Sequence, residues 1–170
     1  KAMLRQLTDA IKGVYASVFY ADSKAYMTAT RNVIDQEKMA VILQEVVGMY
    51  HDDLYYPSFS GVGRSLNYYP LGNETSEEGG AEVAVGLGKY IVDGGMALRF
   101  SPLHPRNVLQ TSTLDLALRD TQTSLYALPR TSGDNFSTDD SFNIVKVPVG
   151  DAAKTGALRF MVSTFDVNDR

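Results

Sequence analysis

Apolar residues near the start of the chain recur at intervals of three and four positions, the spacing that places them on one face of an α-helix. This stripe is formed by Leu4, Leu7, Ile11, Val14, Tyr15, Val18 and Phe19. The pattern predicts helix over residues 2–30. Within that range, Asp22 and Ser23 can cap a second helical piece that extends from Ser23 to about Arg31.

Downstream of the helices, shorter apolar runs predict strands. Residues 39–47 are nearly continuously apolar and rich in β-branched side chains, which is typical of a strand buried on both faces. Further strands are predicted at 59–69, 82–85, 97–100, 144–149 and 158–165. The other predicted segments are a tyrosine-rich polar link (51–57), two polar loops (70–80 and 131–141) and a short helix (89–92).

Residues 114–128 leave two interpretations open, one helix or a pair of strands, and their apolar spacing fits a helix slightly better. Helices followed by clustered strands predict an α+β fold with a mostly antiparallel sheet. A doubly wound sheet is not expected, because the pattern lacks strictly alternating strand–helix–strand units.

The composition excludes several classes of function. The chain has 170 residues and a formal net charge of −4, whereas a nucleic-acid backbone calls for a basic surface, so we expect no nucleic-acid partner. The absence of cysteine excludes a disulfide scaffold, a thiol nucleophile and a thiolate metal site. No apolar run approaches the roughly 18 residues that span a bilayer, so we expect no membrane segment and a cytoplasmic location.

A glycine-rich turn follows the predicted strand at 82–85. Gly86 and Gly88 precede the short helix, and a second glycine pair, Gly94 and Gly95, follows it. Glycine lacks a Cβ and accepts positive φ, so such a turn can bring backbone amides close to a phosphate. Turns of this kind are also common as purely structural turns, and the pattern alone does not choose between the two interpretations.

Several short segments, taken in order, resemble one family. They are Tyr-Ala-Ser-Val-Phe at 15–19, Asp-Ser-Lys-Ala-Tyr at 22–26, Val-Ile-Leu-Gln-Glu-Val-Val at 41–47, Ser-Gly-Val at 60–62, Gly-Leu-Gly at 86–88 and Val-Asp-Gly-Gly at 92–95. Their order and spacing resemble the nucleotide-binding domain of phosphoenolpyruvate synthase and pyruvate phosphate dikinase. The resemblance covers about residues 10–100 and implies an ATP-grasp-like lobe, of which this chain would be the C-terminal part. Because the chain also begins inside a predicted helix and ends after a predicted strand, we expect residues 1–170 to be a single domain and a fragment of a larger ATP-binding domain.

The resemblance implies three groups of nucleotide-binding residues. The end of the strand at 39–47 would lead into the hinge whose backbone reads the adenine edge, an arginine would face the triphosphate, and the glycine turn would approach it. These residues are Gln44, Glu45, Val46, Val47, Arg64, Gly86 and Gly88. The alternative is structural: a polar pair at the end of a core strand, a surface arginine and a simple turn.

Two carboxylates are the implied ligands of Mg²⁺. Glu82 precedes the glycine turn, and Glu74 lies in the loop where some members of the family place a metal-binding glutamate. Mg²⁺ takes oxygen ligands, usually one or two carboxylates together with substrate phosphates. Against this, Glu82 could face solvent on an alternating strand, and Glu74 has Glu77 and Glu78 beside it, as in a solvated loop.

The activity that the resemblance implies is ATP-dependent phosphorylation of a histidine carrier, followed by transfer to pyruvate. The expected partners are ATP, Mg²⁺ and the remaining domains of the same polypeptide: an N-terminal lobe, a phosphohistidine domain and a pyruvate-binding domain. The isolated fragment is expected to be inactive, and an exposed face between lobes would favour a homodimer. Two alternatives stay open: a non-catalytic nucleotide sensor or scaffold, and a related kinase with another acceptor. The sensor is favoured by two departures from the family pattern, the missing Asp-Pro pair after Arg64 and a lysine, Lys89, in place of glutamate.

Overall fold

The computed structural model describes residues 2–30, 38–130, 137 and 139–163. The chain divides into two compact units, one made of residues 1–46 and 131–143 and the other of residues 47–130 and 144–170. Among the described residues of both units, no helix combines the length and the apolar character needed to cross a membrane.

The first unit contains the two predicted helices, α1 (Ala2–Ser17) and α2 (Ala21–Thr30). Helix α1 ends at Ser17, whose hydroxyl donates to the carbonyl of Val14 at 2.7 Å. The hydroxyl of Ser23, in the first turn of α2, donates to the Ser17 carbonyl at 2.8 Å. Both helices are therefore confirmed, with a break at 18–20; Arg31 lies outside the described residues.

The prediction of a buried strand at 39–47 is wrong. These residues form neither strand nor helix, and Ile42 and Val47 are 87% and 78% exposed. The preference of β-branched residues for strands reflects packing against neighbouring strands. No strand of the described chain pairs with this segment, so its apolar side chains stay at the surface.

The second unit contains seven strands: β1 (Met49–His51), β2 (Leu54–Tyr56), β3 (Ser60–Arg64), β4 (Gly80–Ala84), β5 (Leu98–Phe100), β6 (Ser124–Pro129) and β7 (Val145–Pro148). They form two antiparallel sheets, one in the order β1–β2–β6–β7 and the other in the order β3–β4–β5. Three short helices, α3 (Lys89–Val92), α4 (Leu114–Arg119) and α5 (Val149–Lys154), lie in this unit. Helices followed by antiparallel sheets confirm the α+β prediction.

Several predicted boundaries need correction. The polar link at 51–57 is instead the β1–β2 hairpin, and the strand predicted at 59–69 ends at Arg64. Residues 114–128 are neither of the two predicted alternatives, because a helix, α4, is followed by a single strand, β6. The last predicted strand is wrong for 158–163, which form turns, and its residues 164–165 lie outside the described residues, as do 131–136 and 138 of the predicted loop.

The core of the second unit lies at the sheet that contains β6. Its fully or almost fully buried side chains are Tyr56, Leu125, Ala127, Ala152 and Leu158. Leu158 belongs to the turns that follow α5 and is completely buried, which explains why its surroundings are apolar without being a strand. The candidate site lies on the other, three-stranded sheet.

Candidate functional site

One face of the three-stranded sheet carries three charged side chains. Glu82 in β4 lies opposite Val62 in β3 and Arg99 in β5. Because alternate residues of a strand share a face, Arg64, two positions after Val62, lies on the same face as Glu82 and Arg99. Nη1 of Arg64 donates to Oε1 of Glu82 at 3.3 Å.

Arg99 ties the loop between β3 and β4 to this face. Its Nη2 donates to the Asn67 side-chain oxygen at 3.2 Å, to the Tyr69 carbonyl at 2.9 Å and to Oε2 of Glu74 at 3.1 Å. Asn67 is 6% exposed and donates to the same Glu74 oxygen at 3.0 Å. A buried polar group needs hydrogen-bond partners, and these contacts order the loop between β3 and β4.

Glu74 is held in its charged form by these contacts. The backbone N–H of Leu71 donates to Oε2 at 3.0 Å and has the largest effect in holding the pKa of Glu74 below its usual value. Burial acts in the opposite direction, while Asn67 and Arg99 add to the lowering. Hydrogen bonds to a carboxylate favour its ionised form, so Glu74 is an anion at neutral pH.

Two cavities meet at Glu82 and Arg99. One, of about 340 Å³, is also lined by Glu74 and by the glycine pair Gly94 and Gly95. The other, of about 250 Å³, extends past Arg64 and the side chains of the loop between β3 and β4. The structure therefore brings three of the predicted residues, Arg64, Glu74 and Glu82, to one surface with two cavities.

The glycine turn at the end of β4 is shaped by packing. Gly86 has φ +83°, and a Cβ there would lie 2.9 Å from Leu125 Cβ and 3.0 Å from the Tyr126 carbonyl. The Ser60 hydroxyl donates to the Gly86 carbonyl at 2.7 Å, which fixes the turn from the other side. Gly88, just before α3, has φ −60°, and a Cβ there would lie 3.5 Å from Ser60 Cβ, an ordinary van der Waals contact, so its backbone does not require glycine.

The residues predicted to read the adenine edge are not part of the three-stranded sheet. Gln44, Glu45 and Val46 belong to the first unit and Val47 to the second, in the irregular segment before β1. All four are exposed at the surface rather than at the end of a buried strand.

The sequence interpretation missed the roles of Arg99 and Asn67. Neither residue is among the predicted nucleotide-binding or metal-binding residues. A signal existed for Arg99, because a charged residue within a predicted strand has to point away from the apolar face. For Asn67 the signal was its turn-forming side chain, which accepts from the Tyr69 N–H two residues on at 3.1 Å.

The donors around Glu82 fit a divalent cation only in part. Among the described residues, no group of three or more histidine, cysteine, aspartate or glutamate side chains could hold a metal ion. Oε2 of Glu74 already accepts three hydrogen bonds, whereas the hydrogen bond given to Glu82 is to Oε1. Mg²⁺ usually takes one or two carboxylates and completes its shell with phosphates and water, a role for which Glu82 is suited.

Comparison with known protein families shows the family to which the chain is similar. The model of a family described as pyruvate phosphate dikinase, AMP/ATP-binding domain, matches residues 2–133, which is most of the chain. The matched range starts before and ends after the motif-bearing residues 10–100, and it does not support a placement in the C-terminal part of that domain. Searches of curated proteins and of solved structures find no match.

Proposed function

Since the chain belongs to the family of the AMP/ATP-binding domain of pyruvate phosphate dikinase, we propose that it binds ATP with Mg²⁺ on the charged face of its three-stranded sheet. In this proposal the chain is the nucleotide-binding part of a phosphotransferase similar to phosphoenolpyruvate synthase. The observation that carries the site is the convergence of Arg64, Glu82 and Arg99, which all line the cavity of about 250 Å³.

The charges on this face suit a nucleotide phosphate group with its cation. Arg64 has a half-exposed guanidinium, 3.3 Å from Glu82, and can exchange this weak surface contact for a phosphate oxygen. Glu82 would hold Mg²⁺ together with the phosphates. Glu74 is the weaker candidate for the metal, since its occupied oxygen orders the loop around the cavity.

The cation would neutralise charge on the transferring phosphoryl group. Phosphoryl transfer depends on positioning and on charge stabilisation, so this chain would orient the phosphates with Arg64 and Glu82. Gly86 and Gly88 would set the course of the backbone beside the phosphates, and recognition of the adenine by the exposed residues Gln44, Glu45, Val46 and Val47 stays a prediction of the sequence. The acceptor histidine and the pyruvate site would belong to other domains of the same polypeptide.

A non-catalytic nucleotide sensor is the second candidate. Lys89, in place of the family's glutamate, forms an ion pair with Asp93 at 3.0 Å, so it is engaged within α3 and its C-terminal end. The loop after Arg64 is built around Asn67 instead of an Asp-Pro pair. Both departures leave the charged face intact, as expected for a protein that binds ATP without transferring its phosphate.

The test is calorimetric titration of ATP into the chain, with and without Mg²⁺. We expect binding that requires Mg²⁺ and that weakens roughly tenfold or more in Glu82→Gln, because the ligand charge is lost. Glu77→Gln, an exposed glutamate of the loop between β3 and β4, is the matched control and should bind like the wild type. Absence of binding in the wild type would refute the proposed function, and unchanged binding in Glu82→Gln would refute the site.

A further inference from the structure

The opposite face of the three-stranded sheet borders a larger cavity, of about 720 Å³. Val83 and Leu98 lie opposite each other on adjacent strands, one position away from the Glu82–Arg99 pair. Side chains of successive residues point to opposite faces, so this cavity and the charged face lie on the two sides of one sheet. Leu118 of α4 and Met161, in the turns after α5, contribute further apolar walls.

The walls of this cavity are mainly apolar and incompletely covered. Phe59, Met96, Leu98, Leu118 and Met161 all line it and all remain substantially exposed. A soluble protein rarely leaves so many large apolar side chains uncovered in one concave region without a function. The volume falls in the range of about 300–1,000 Å³ that is typical of small-molecule sites.

The charges around the cavity exclude an anionic ligand. Among the described residues that line it, none is a lysine, arginine or histidine. Its acidic residue, Asp120, is paired with Arg119 through hydrogen bonds of 2.8 and 3.1 Å, which also lower the pKa of Asp120. A phosphate or carboxylate would find no cation there, and an apolar wall favours an uncharged molecule.

The backbone groups beside the cavity argue against an added peptide strand. Gln110 accepts from the Arg99 N–H at 2.8 Å and donates to the Ala97 carbonyl at 3.0 Å. Gln122 does the same for Val85, at 2.8 and 2.9 Å. A peptide that extends a sheet needs free backbone donors and acceptors at its edge, and these two glutamines already occupy them.

We propose that this cavity is a binding site for an uncharged, largely apolar small molecule, separate from the nucleotide site. Its ligand would cover the exposed walls formed by Leu98, Leu118 and Met161. The cavity shares Met96 and Gln110 with the cavity of about 340 Å³ that Glu82 and Glu74 line, so the two sites are neighbours and each can be tested against the other.

The experiment measures binding of the uncharged fluorescent probe N-phenyl-1-naphthylamine to the chain. We expect saturable binding of one probe per chain, weakened roughly tenfold in Leu118→Gln because part of the apolar wall is lost. Leu114→Gln is the matched control, since Leu114 lies in the same helix, is 41% exposed against 42% for Leu118, and is not part of the cavity wall. Thermal unfolding checks that both variants fold.

A titration with ATP and Mg²⁺ separates the two proposals. Retention of the probe at saturating nucleotide supports a separate site, and its stoichiometric displacement would overturn the proposal by assigning the cavity to the nucleotide. Absence of probe binding, or equal binding by Leu118→Gln and Leu114→Gln, would also overturn it. Neither the absence of probe binding nor equal probe binding by the two variants bears on ATP binding at Glu82, which the calorimetric titration tests independently.

Discussion

The guanidinium of Arg99 and the carboxylate of Glu74 form a hydrogen-bonded ion pair of 3.1 Å between residues 25 positions apart in the sequence. The same guanidinium nitrogen reaches the Asn67 side chain and the Tyr69 carbonyl. A single side chain of β5 thus organises the whole loop that borders the candidate nucleotide site.

Arg99→Ala is therefore expected to destabilise the protein. The substitution leaves the largely buried Asn67 and the Glu74 carboxylate short of a partner, which costs about 2–3 kcal/mol of unfolding free energy. Urea denaturation measures the change. Arg119→Ala is the control, because its ion pair with Asp120 joins adjacent residues and the Arg119 side chain is 71% exposed, so its loss should change the unfolding free energy little. Equal losses for the two variants would show that the loop does not depend on Arg99.

The Glu74 network also predicts a dependence of stability on pH. The pKa of Glu74 is lowered in the folded chain, first by the Leu71 N–H and then by Asn67 and Arg99, so its contribution to stability is complete above the unfolded pKa of 4.5. That contribution is lost as the pH falls below this value and through the lowered pKa, because the unfolded chain takes up its proton first.

We expect the stability difference between the wild type and Glu74→Gln to shrink as the pH falls from 6 to about 3, since the wild-type advantage requires the charged form. Denaturation curves at each pH measure this difference. Glu77→Gln, in the same loop but exposed, should keep the wild-type pH profile. A difference that stays constant over the acidic range would contradict the assignment of the lowered pKa to Glu74.

The glycine turn offers a matched pair of substitutions. Gly86→Ala should lose about 2–4 kcal/mol of stability, because it forces an alanine to φ +83° and its Cβ against Leu125 and Tyr126. Gly88→Ala should stay within about 0.5 kcal/mol of the wild type, since its backbone is in the right-handed helical region and a Cβ meets Ser60 at 3.5 Å. Thermal or urea unfolding compares the two. Similar losses at both positions would show that the turn is not constrained by packing at Gly86.

How far the sequence predicts the fold depends on whether the signal is local. The amphipathic spacing of α1, the short helix α3 and the strand pattern of β4 are set by residues close together in the chain, and all three elements are found close to where they were predicted. The run at 39–47 has an equally strong local pattern, but a strand also needs a partner, which its own residues do not specify.

The candidate site likewise combines features that the local sequence predicts with features that depend on residues far apart in the chain. Arg64, Glu74 and Glu82 could be singled out from residue type and resemblance; Arg64 and Glu82 lie on one face of the sheet, and Glu74 lies in the loop that Arg99 ties to this face. Their arrangement could not be derived, because it depends on the register between β4 and β5, which sets Glu82 opposite Arg99. One residue of slip would move every side chain of a strand to the other face, and no local pattern in the loop reports that register.

Gln122 supplies the last prediction. Its side-chain oxygen accepts from the Val85 N–H at 2.8 Å, and its amide nitrogen donates to the carbonyls of Val85 and Ser124, each at 2.9 Å. The side chain thus takes the place of a neighbouring strand where β4 ends. Gln122→Leu keeps a similar volume but leaves these partly buried backbone groups unpaired, so we expect a loss of about 2–3 kcal/mol of unfolding free energy.

Urea denaturation measures this loss, and hydrogen exchange locates it. The Val85 amide should exchange faster in Gln122→Leu than in the wild type, because its acceptor is gone. Thr123→Ala, at the exposed neighbouring position, should leave both the stability and the exchange rate of Val85 nearly unchanged. If the Val85 amide stayed protected in Gln122→Leu, another acceptor would have to replace the glutamine, and the side chain could not be what takes the place of a neighbouring strand at the end of β4.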